Sequence, residues 1–312
     1  MTTFAFVFPG QGSQAVGMLD AWGDDSVVRQ TLVEASEALG FDKAALIRSG
    51  PKEQLDLTTN TQPVMLTAGI ACYRAWLAQT GRAPSIVAGH SLGEYTALVA
   101  AGVLSLTDAL ALVRFRAQAM QEAVPVGVGA MAAILGLDAS AVRDGCAEVV
   151  AASGEVVEAA NFNDPKQTVI AGTRAGVEMA CEVLKAKGAK RALLLQVSAP
   201  FHSSLMKPAA DRLKERLTTT AFGVPQIPVV NNVDVKIETG ADAIRDALYR
   251  QAFGPVRWAE TVLAMRARGV THIIECGPGK VLAGMVKRID ADAMSGAVFD
   301  PASLTDMKAF VA

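Results

Sequence analysis

The chain opens on six consecutive β-branched, aromatic or small apolar residues, Thr3 to Phe8 (TFAFVF), cut off by Pro9-Gly10-Gln11-Gly12. So short a run with no alternating polar face predicts a buried strand, and the Pro-Gly step predicts the turn that ends it. A mixed helical stretch follows at 24–40. Asn60 to Gln79 predicts a long helix, with Pro63 in its first turn and Gly81 just past its end. Ser85 to Ala88 predicts a second short strand. Gly89-His90-Ser91-Leu92-Gly93 then turns into an Ala-rich helix that stops at Gly102, and Thr107 to Glu122 predicts another helix.

The pattern changes after that. Ala130 to Leu137 predicts a strand and Ala139 to Ala151 a helix. Val156 to Asn161 and Gln167 to Ala171 predict two strands joined by the polar turn Asn163-Asp164-Pro165, Ala175 to Lys187 a helix, and Arg191 to Val197 a strand. That order is βαββαβ, the ferredoxin-like unit. Beyond it the pattern predicts a helix at 204–218, a strand at Gln226–Asn231 and helices at 240–250 and 256–268. An apolar strand at Thr271–Cys276 and a helix to Arg288 complete it; the last twenty or so residues carry no clear signal. Strands alternating with helices predict a mainly parallel sheet covered on both faces. The expectation is an α/β chain in which 1–128 and 198–312 form a large subdomain and 129–197 a small ferredoxin-like one.

Composition narrows the functions this frame can serve. Of 312 residues, 51% are hydrophobic and 19% charged, enough for a sizeable core. The net charge of −2 argues against nucleic acid as the main partner. Ser105, Thr107 and Asp108 break the longest apolar run well short of membrane-spanning length, and Met1 to Gly10 lacks the basic start of a signal peptide. Cys72, Cys146, Cys181 and Cys276 are widely spaced without a CxxC pair, which fits reduced thiols in a cytoplasmic protein. Three histidines make a multi-His metal site improbable, and nothing in the pattern asks for a cofactor.

The chemistry is carried by Gly89-His90-Ser91-Leu92-Gly93, which fits G-x-S-x-G, a serine on a sharp strand-to-helix turn. Glycines flank such a serine because side chains there would clash, and the helix that follows aims N–H groups at the hydroxyl. A nucleophilic serine needs a base. His90 is adjacent on the tight turn and His272 lies inside an apolar strand. His202, in Ser198-Ala199-Pro200-Phe201-His202-Ser203, lies in a strand-to-helix loop, where active sites of parallel sheets collect. His202 is the preferred base. A hydrolase (esterase or thioesterase) and an inert binding scaffold both remain compatible with the serine alone. Against an α/β-hydrolase stand the single clear strand in the first 84 residues and the βαββαβ insert.

Five motifs then fall in one order: Phe8-Pro9-Gly10-Gln11-Gly12-Ser13-Gln14, GHSLGEY at 89–95, SAPFHS at 198–203, Val230-Asn231-Asn232-Val233 and Glu275-Cys276-Gly277-Pro278-Gly279-Lys280-Val281-Leu282. Together they resemble the bacterial malonyl-CoA:acyl-carrier-protein transacylases of type II fatty acid synthesis, over residues 4–289. The resemblance implies an α/β-hydrolase-like core carrying a ferredoxin-like subdomain. It implies transfer of malonyl from coenzyme A to the phosphopantetheine thiol of holo acyl carrier protein through malonyl-Ser91. His202 would be general base, oriented by the backbone carbonyl of Gln251, and the backbone N–H groups of Gln11 and Leu92 the oxyanion hole. Asn231 would line the site, and Arg116 would hold the malonyl carboxylate. The helix pattern agrees on that arginine. Arg116 falls at the edge of the apolar stripe through Val113, Ala117 and Met120, whereas Arg114 lies further round toward solvent. Phe201 is compatible with a pocket that excludes a branched acyl group. Lys185, Lys187, Lys190, Arg191, Lys280, Lys287 and Arg288 are candidate contacts for an acidic carrier.

Overall fold

The computed structural model describes residues 3–40, 42–125 and 127–312. Two sheets organise it. The first is all parallel in the order β7-β2-β1-β8-β9, with β1 Phe4–Phe8, β2 Ile86–Gly89, β7 Val229–Val230, β8 His272–Cys276 and β9 Met294–Val298. The second is antiparallel, β4-β5-β3-β6, with β3 Gly129–Leu135, β4 Val157–Asp164, β5 Gln167–Thr173 and β6 Arg191–Leu194. The second order is the one a βαββαβ succession produces when its first and third strands pair at the centre.

Alternation along β1 explains why every one of its residues is buried. Phe4, Phe6 and Phe8 point to one face of the sheet and meet Tyr73 and Trp76 edge-on, at ring centroids of 5.3–6.1 Å. Both aromatics belong to the long helix α4 (Thr58–Thr80), which follows α1 (Ser26–Leu39), α2 (Lys43–Ser49) and α3 (Lys52–Leu55). Ala5 and Val7 point the other way, into a core shared with Trp258, Val262 and Met285. These come from α11 (Trp258–Ala267) and α12 (Val281–Ile289). Two helices follow the serine turn: α5 (Gly93–Ala100), and α6 (Leu106–Ala123), whose N-cap Ser105 accepts from Asp108 N at 3.0 Å. Helices α9 (Lys207–Thr219) and α10 (Ala241–Gln251) lead to the Gln251 turn.

The antiparallel sheet buries one face under α7 (Ala139–Ser153) and α8 (Arg174–Ala186). Its other face, bearing Met131, Ala133 and Val169, is turned toward Phe201 and the crevice at the carboxyl ends of the parallel strands. Four expectations need correction. The turn expected at Asn163-Asp164-Pro165 is confined to Pro165 and Lys166, because β4 stays paired with β5 as far as Asp164. The strand expected at Gln226–Asn231 is only Val229–Val230, because Pro228 precedes it and Asn231–Asn232 turn away. The strand expected to reach Val197 stops at Leu194, and Leu195 and Val197 instead line the crevice. The tail forms β9, paired in parallel with β8, and α13 (Pro301–Phe310), which is opened by a capping box between Asp300 and Ser303. No helix among the described residues is long and apolar enough to cross a membrane.

Candidate active site

Strands β1, β2 and β7 end side by side, so the loops after them converge. Ser91 follows β2 with φ 53°, and His202 has φ 62°. Only one other non-glycine among the described residues, Val235, has positive φ. Such backbone costs free energy and persists where surrounding bonds impose it. The flanking glycines permit the turn. A Cβ on Gly93 would stand 2.0 Å from Phe8 O, and one on Gly89 1.9 Å from Gly93 C and O.

Both backbone groups of Ser91 are tied. Its N–H donates to Asn232 Oδ1 at 2.7 Å, and its carbonyl accepts from Glu94 N at 3.1 Å and from Gln251 Nε2 at 2.9 Å. Ser91 Oγ lies 2.7 Å from His202 Nε2. His202 Nδ1 faces two carbonyl oxygens, Gln251 O at 2.9 Å and Gly254 O at 3.2 Å. Carbonyls only accept, so Nδ1 carries the proton and Nε2 is left as the acceptor for the serine hydroxyl. Burial, then the Arg116 guanidinium, push the His202 pKa down to about 3, which keeps the ring neutral.

Arg116 extends from α6 to the same hydroxyl, with Nη2 donating to Ser91 Oγ at 3.2 Å and to Gln251 Oε1 at 3.2 Å, and Nη1 to Gln62 Oε1 at 2.9 Å. It is 2% exposed, lies over the Tyr95 ring, and forms no salt bridge among the described residues. Nε has no partner there. A buried guanidinium satisfied only by neutral oxygens is expensive to maintain and is well suited to an incoming anion. Arg114, two residues away, instead reaches Leu39 O.

The other expected residues sort as follows. Neither Gln11 N–H nor Leu92 N–H has a hydrogen-bond acceptor among the described residues, so both donors are available. The Gln11 side chain continues the polar chain: its Oε1 accepts from Gln62 Nε2 at 3.2 Å, and its Nε2 donates to Thr58 Oγ1 at 3.2 Å. Asn231 does not reach the serine. Its Oδ1 accepts from Asp234 N at 2.8 Å, closing a turn, and its neighbour Asn232 touches Ser91 instead. His90 also lines the crevice, but its Nε2 is engaged by Asn163 Oδ1 at 2.8 Å, and His272 sits at the amino end of β8, the far end of the sheet from the serine. Lys185 and Lys187 are engaged by Glu182 and Glu148, and Arg288 by the buried Asp164.

Glu94, Asn232 and Gln62 were not picked out from the sequence. Glu94 was visible as a lone charge on an Ala-rich helix, three residues after the serine. Its Oε2 accepts from Asn232 N and Gln251 Nε2, both at 2.9 Å. Burial pushes its pKa up to about 7 against those bonds and the nearby Arg116. The crevice above Ser91 encloses about 260 Å³, lined by Gln11, Arg116, Phe201, His202, Val281 and Met285 among others.

Known proteins resemble this chain over nearly its whole length. The family model of the acyl transferase domain matches residues 5–303. Malonyl CoA-acyl carrier protein transacylase of Escherichia coli K12 is 55% identical over 305 residues, 97% of this chain and 98% of that one. The crystal structure of acyl-carrier-protein S-malonyltransferase from Burkholderia pseudomallei 1710b superposes with a TM-score of 0.96 at 65% identity, covering 98% of this chain and 99% of that one. A malonyl-transacylase in complex with a type II PKS acyl-carrier protein superposes at 0.95 with 53% identity, covering 97% and 98%. The chain belongs to the acyl transferase domain family.

Proposed function

We propose that this protein transfers malonyl from coenzyme A to the phosphopantetheine thiol of acyl carrier protein by a ping-pong route through malonyl-Ser91. The observation that carries the reading is the placement of Ser91 Oγ between His202 Nε2 at 2.7 Å and an unpaired buried guanidinium, Arg116 Nη2, at 3.2 Å. The first contact makes a nucleophile, and the second makes that nucleophile selective for an acyl group ending in a carboxylate. Relatives named for malonyl transfer to acyl carrier protein support the same assignment.

In the first half, His202 Nε2 takes the Ser91 proton as Oγ bonds to the thioester carbon. The oxyanion is received by Gln11 N–H and Leu92 N–H, at the amino end of α5, where the helix dipole adds to their pull. Collapse expels the coenzyme A thiolate, which leaves with the proton from His202. In the second half His202 deprotonates the carrier thiol, the thiolate attacks malonyl-Ser91, and Ser91 leaves as the alcohol once His202 returns the proton. Such a base contributes roughly 10²–10⁴ in rate. The carbonyls of Gln251 and Gly254 stabilise the imidazolium that forms between steps.

We take residues 129–197 as a subdomain whose inner sheet face roofs the crevice. Lys280 and Lys287, at either end of the crevice-lining α12, are the cations we assign to an acidic carrier, a coupling that salt weakens. Buried, unpaired cysteines are in keeping with work in the cytoplasm.

The test is direct. Incubation with malonyl-CoA should leave a malonyl mass increment on the Ser91 peptide, and holo acyl carrier protein should discharge it faster than water does. Discharge to water alone would make the protein a thioesterase. Absence of any adduct on Ser91, together with no labelling by diisopropyl fluorophosphate, would remove the enzyme reading altogether.

A further inference from the structure

The two amides that hold the active centre end on one oxygen. Asn232 accepts from Ser91 N–H through Oδ1 and donates from Nδ2 to Gly89 O at 2.7 Å, so it grips both sides of the strained turn. Gln251 donates from Nε2 to Ser91 O and accepts from Arg116 through Oε1. The backbone N–H of Asn232 and the Nε2 of Gln251 both donate to Glu94 Oε2, and Glu94 is 2% exposed.

An amide can be flipped with little change of shape, and the flip exchanges its donor and acceptor ends. With Gln251 reversed, an NH₂ group would face the Arg116 guanidinium, and an oxygen would face both the Ser91 carbonyl and Glu94. An oxygen fixed at the Glu94 Oε2 position adds to the Ser91 carbonyl and Arg116 in opposing that flip. It also keeps the nearest buried anion one amide away from Arg116. A direct Glu–Arg pair would fill the place a substrate carboxylate has to take.

We infer that Glu94 is a positioning residue for both halves of the site. By accepting from Asn232 and Gln251 it holds Ser91 in its left-handed conformation and Arg116 at the serine, and so links the nucleophile to the choice of a carboxylate-bearing acyl group. The inference rests on the malonyl-transfer reading, and it adds that reach, not charge, is what residue 94 supplies.

Two conservative variants separate reach from charge. Glu94→Gln keeps a carbonyl oxygen at the required place and removes the charge. Glu94→Asp keeps the charge and withdraws the oxygens by one methylene. Each is measured for kcat/KM with malonyl-CoA and with acetyl-CoA, holo acyl carrier protein as acceptor, alongside a thermal melt. The malonyl-to-acetyl ratio should stay within about threefold of the parent in Glu94→Gln and fall about tenfold in Glu94→Asp. A general loss of folding would lower both substrates together and leave the ratio unmoved. An unchanged ratio in folded Glu94→Asp, or a Glu94→Gln ratio that falls as far as tenfold, overturns the inference. Parent enzyme that moves no malonyl at all would instead overturn the reading beneath it.

Discussion

Replacing Arg116 by Ala removes the donors to Gln62 Oε1, Ser91 Oγ and Gln251 Oε1 and leaves the crevice without a cation at the serine. A malonyl carboxylate entering the variant would lose its water with nothing in exchange. Breaking one partner from a buried charge pair costs about 3–5 kcal/mol. At about 1.4 kcal/mol per decade, that is a loss in kcat/KM between roughly a hundredfold and a few thousandfold for malonyl transfer. Acetyl brings no carboxylate, so its transfer should hold or rise, helped by removal of a positive charge that disfavours protonation of His202. The assay follows radiolabelled malonyl and acetyl from coenzyme A to holo acyl carrier protein in parent and variant. Arg116→Lys should recover only part of the malonyl rate, since an ammonium cannot present the planar two-donor edge. A malonyl loss below tenfold, or an acetyl loss that keeps pace with it, would refute the role given to Arg116.

Gly89→Ala and Gly93→Ala should each destabilise the fold by about 3 kcal/mol or more, because the added Cβ strikes backbone atoms of the turn or of β1 that cannot yield; a parental urea midpoint in either would contradict this. His202 is depressed by burial first and Arg116 second, so a bound carboxylate that offsets Arg116 should relieve part of that depression. The acid limb of kcat should therefore lie at higher pH with malonyl-CoA than with acetyl-CoA, and limbs that coincide would rule the coupling out. Glu275, buried at the end of β8 and accepting from Ala283 N, is pushed up to about 7 by burial from an ordinary 4.5. Between those values the folded chain holds a proton the unfolded chain has released, so its stability falls as pH rises. Glu275→Gln should gain on the parent by roughly 2–3 kcal/mol from pH 5 to pH 8 in urea titrations, and an advantage equal at both pH values would count against it.

What the sequence made legible follows from how local each signal is. The strand at β1, the turn around Ser91 and the stripe position of Arg116 are written in adjacent residues or in helical spacing, and the structure has them there. Asn232 was missed by one residue, because choosing between Asn231 and Asn232 depends on where a two-residue strand ends. Glu94 and Gln62 act through bonds to residues 51–157 positions away, and no spacing rule reaches that far. Strand β9 was invisible for another reason. Met-Ser-Gly-Ala-Val has neither a β-branched run nor clear alternation, and it is a strand because β8 offers it an open edge.

On the malonyl-transfer reading, the same long-range bonds let the site be charged and selective at once. A serine protease-like pair would orient its histidine with a carboxylate, but here that carboxylate would sit close to Arg116 and compete for it. Carbonyl oxygens at His202 Nδ1 fix the tautomer without bringing an anion. Amide oxygens at Arg116 satisfy two of its nitrogens without neutralising it. The one carboxylate admitted nearby, Glu94, is held behind Gln251 and raised toward neutrality by burial. Under the malonyl-transfer reading, replacing anions by dipoles leaves Arg116 an unspent charge, and the substrate's own carboxylate is the group that completes the pair.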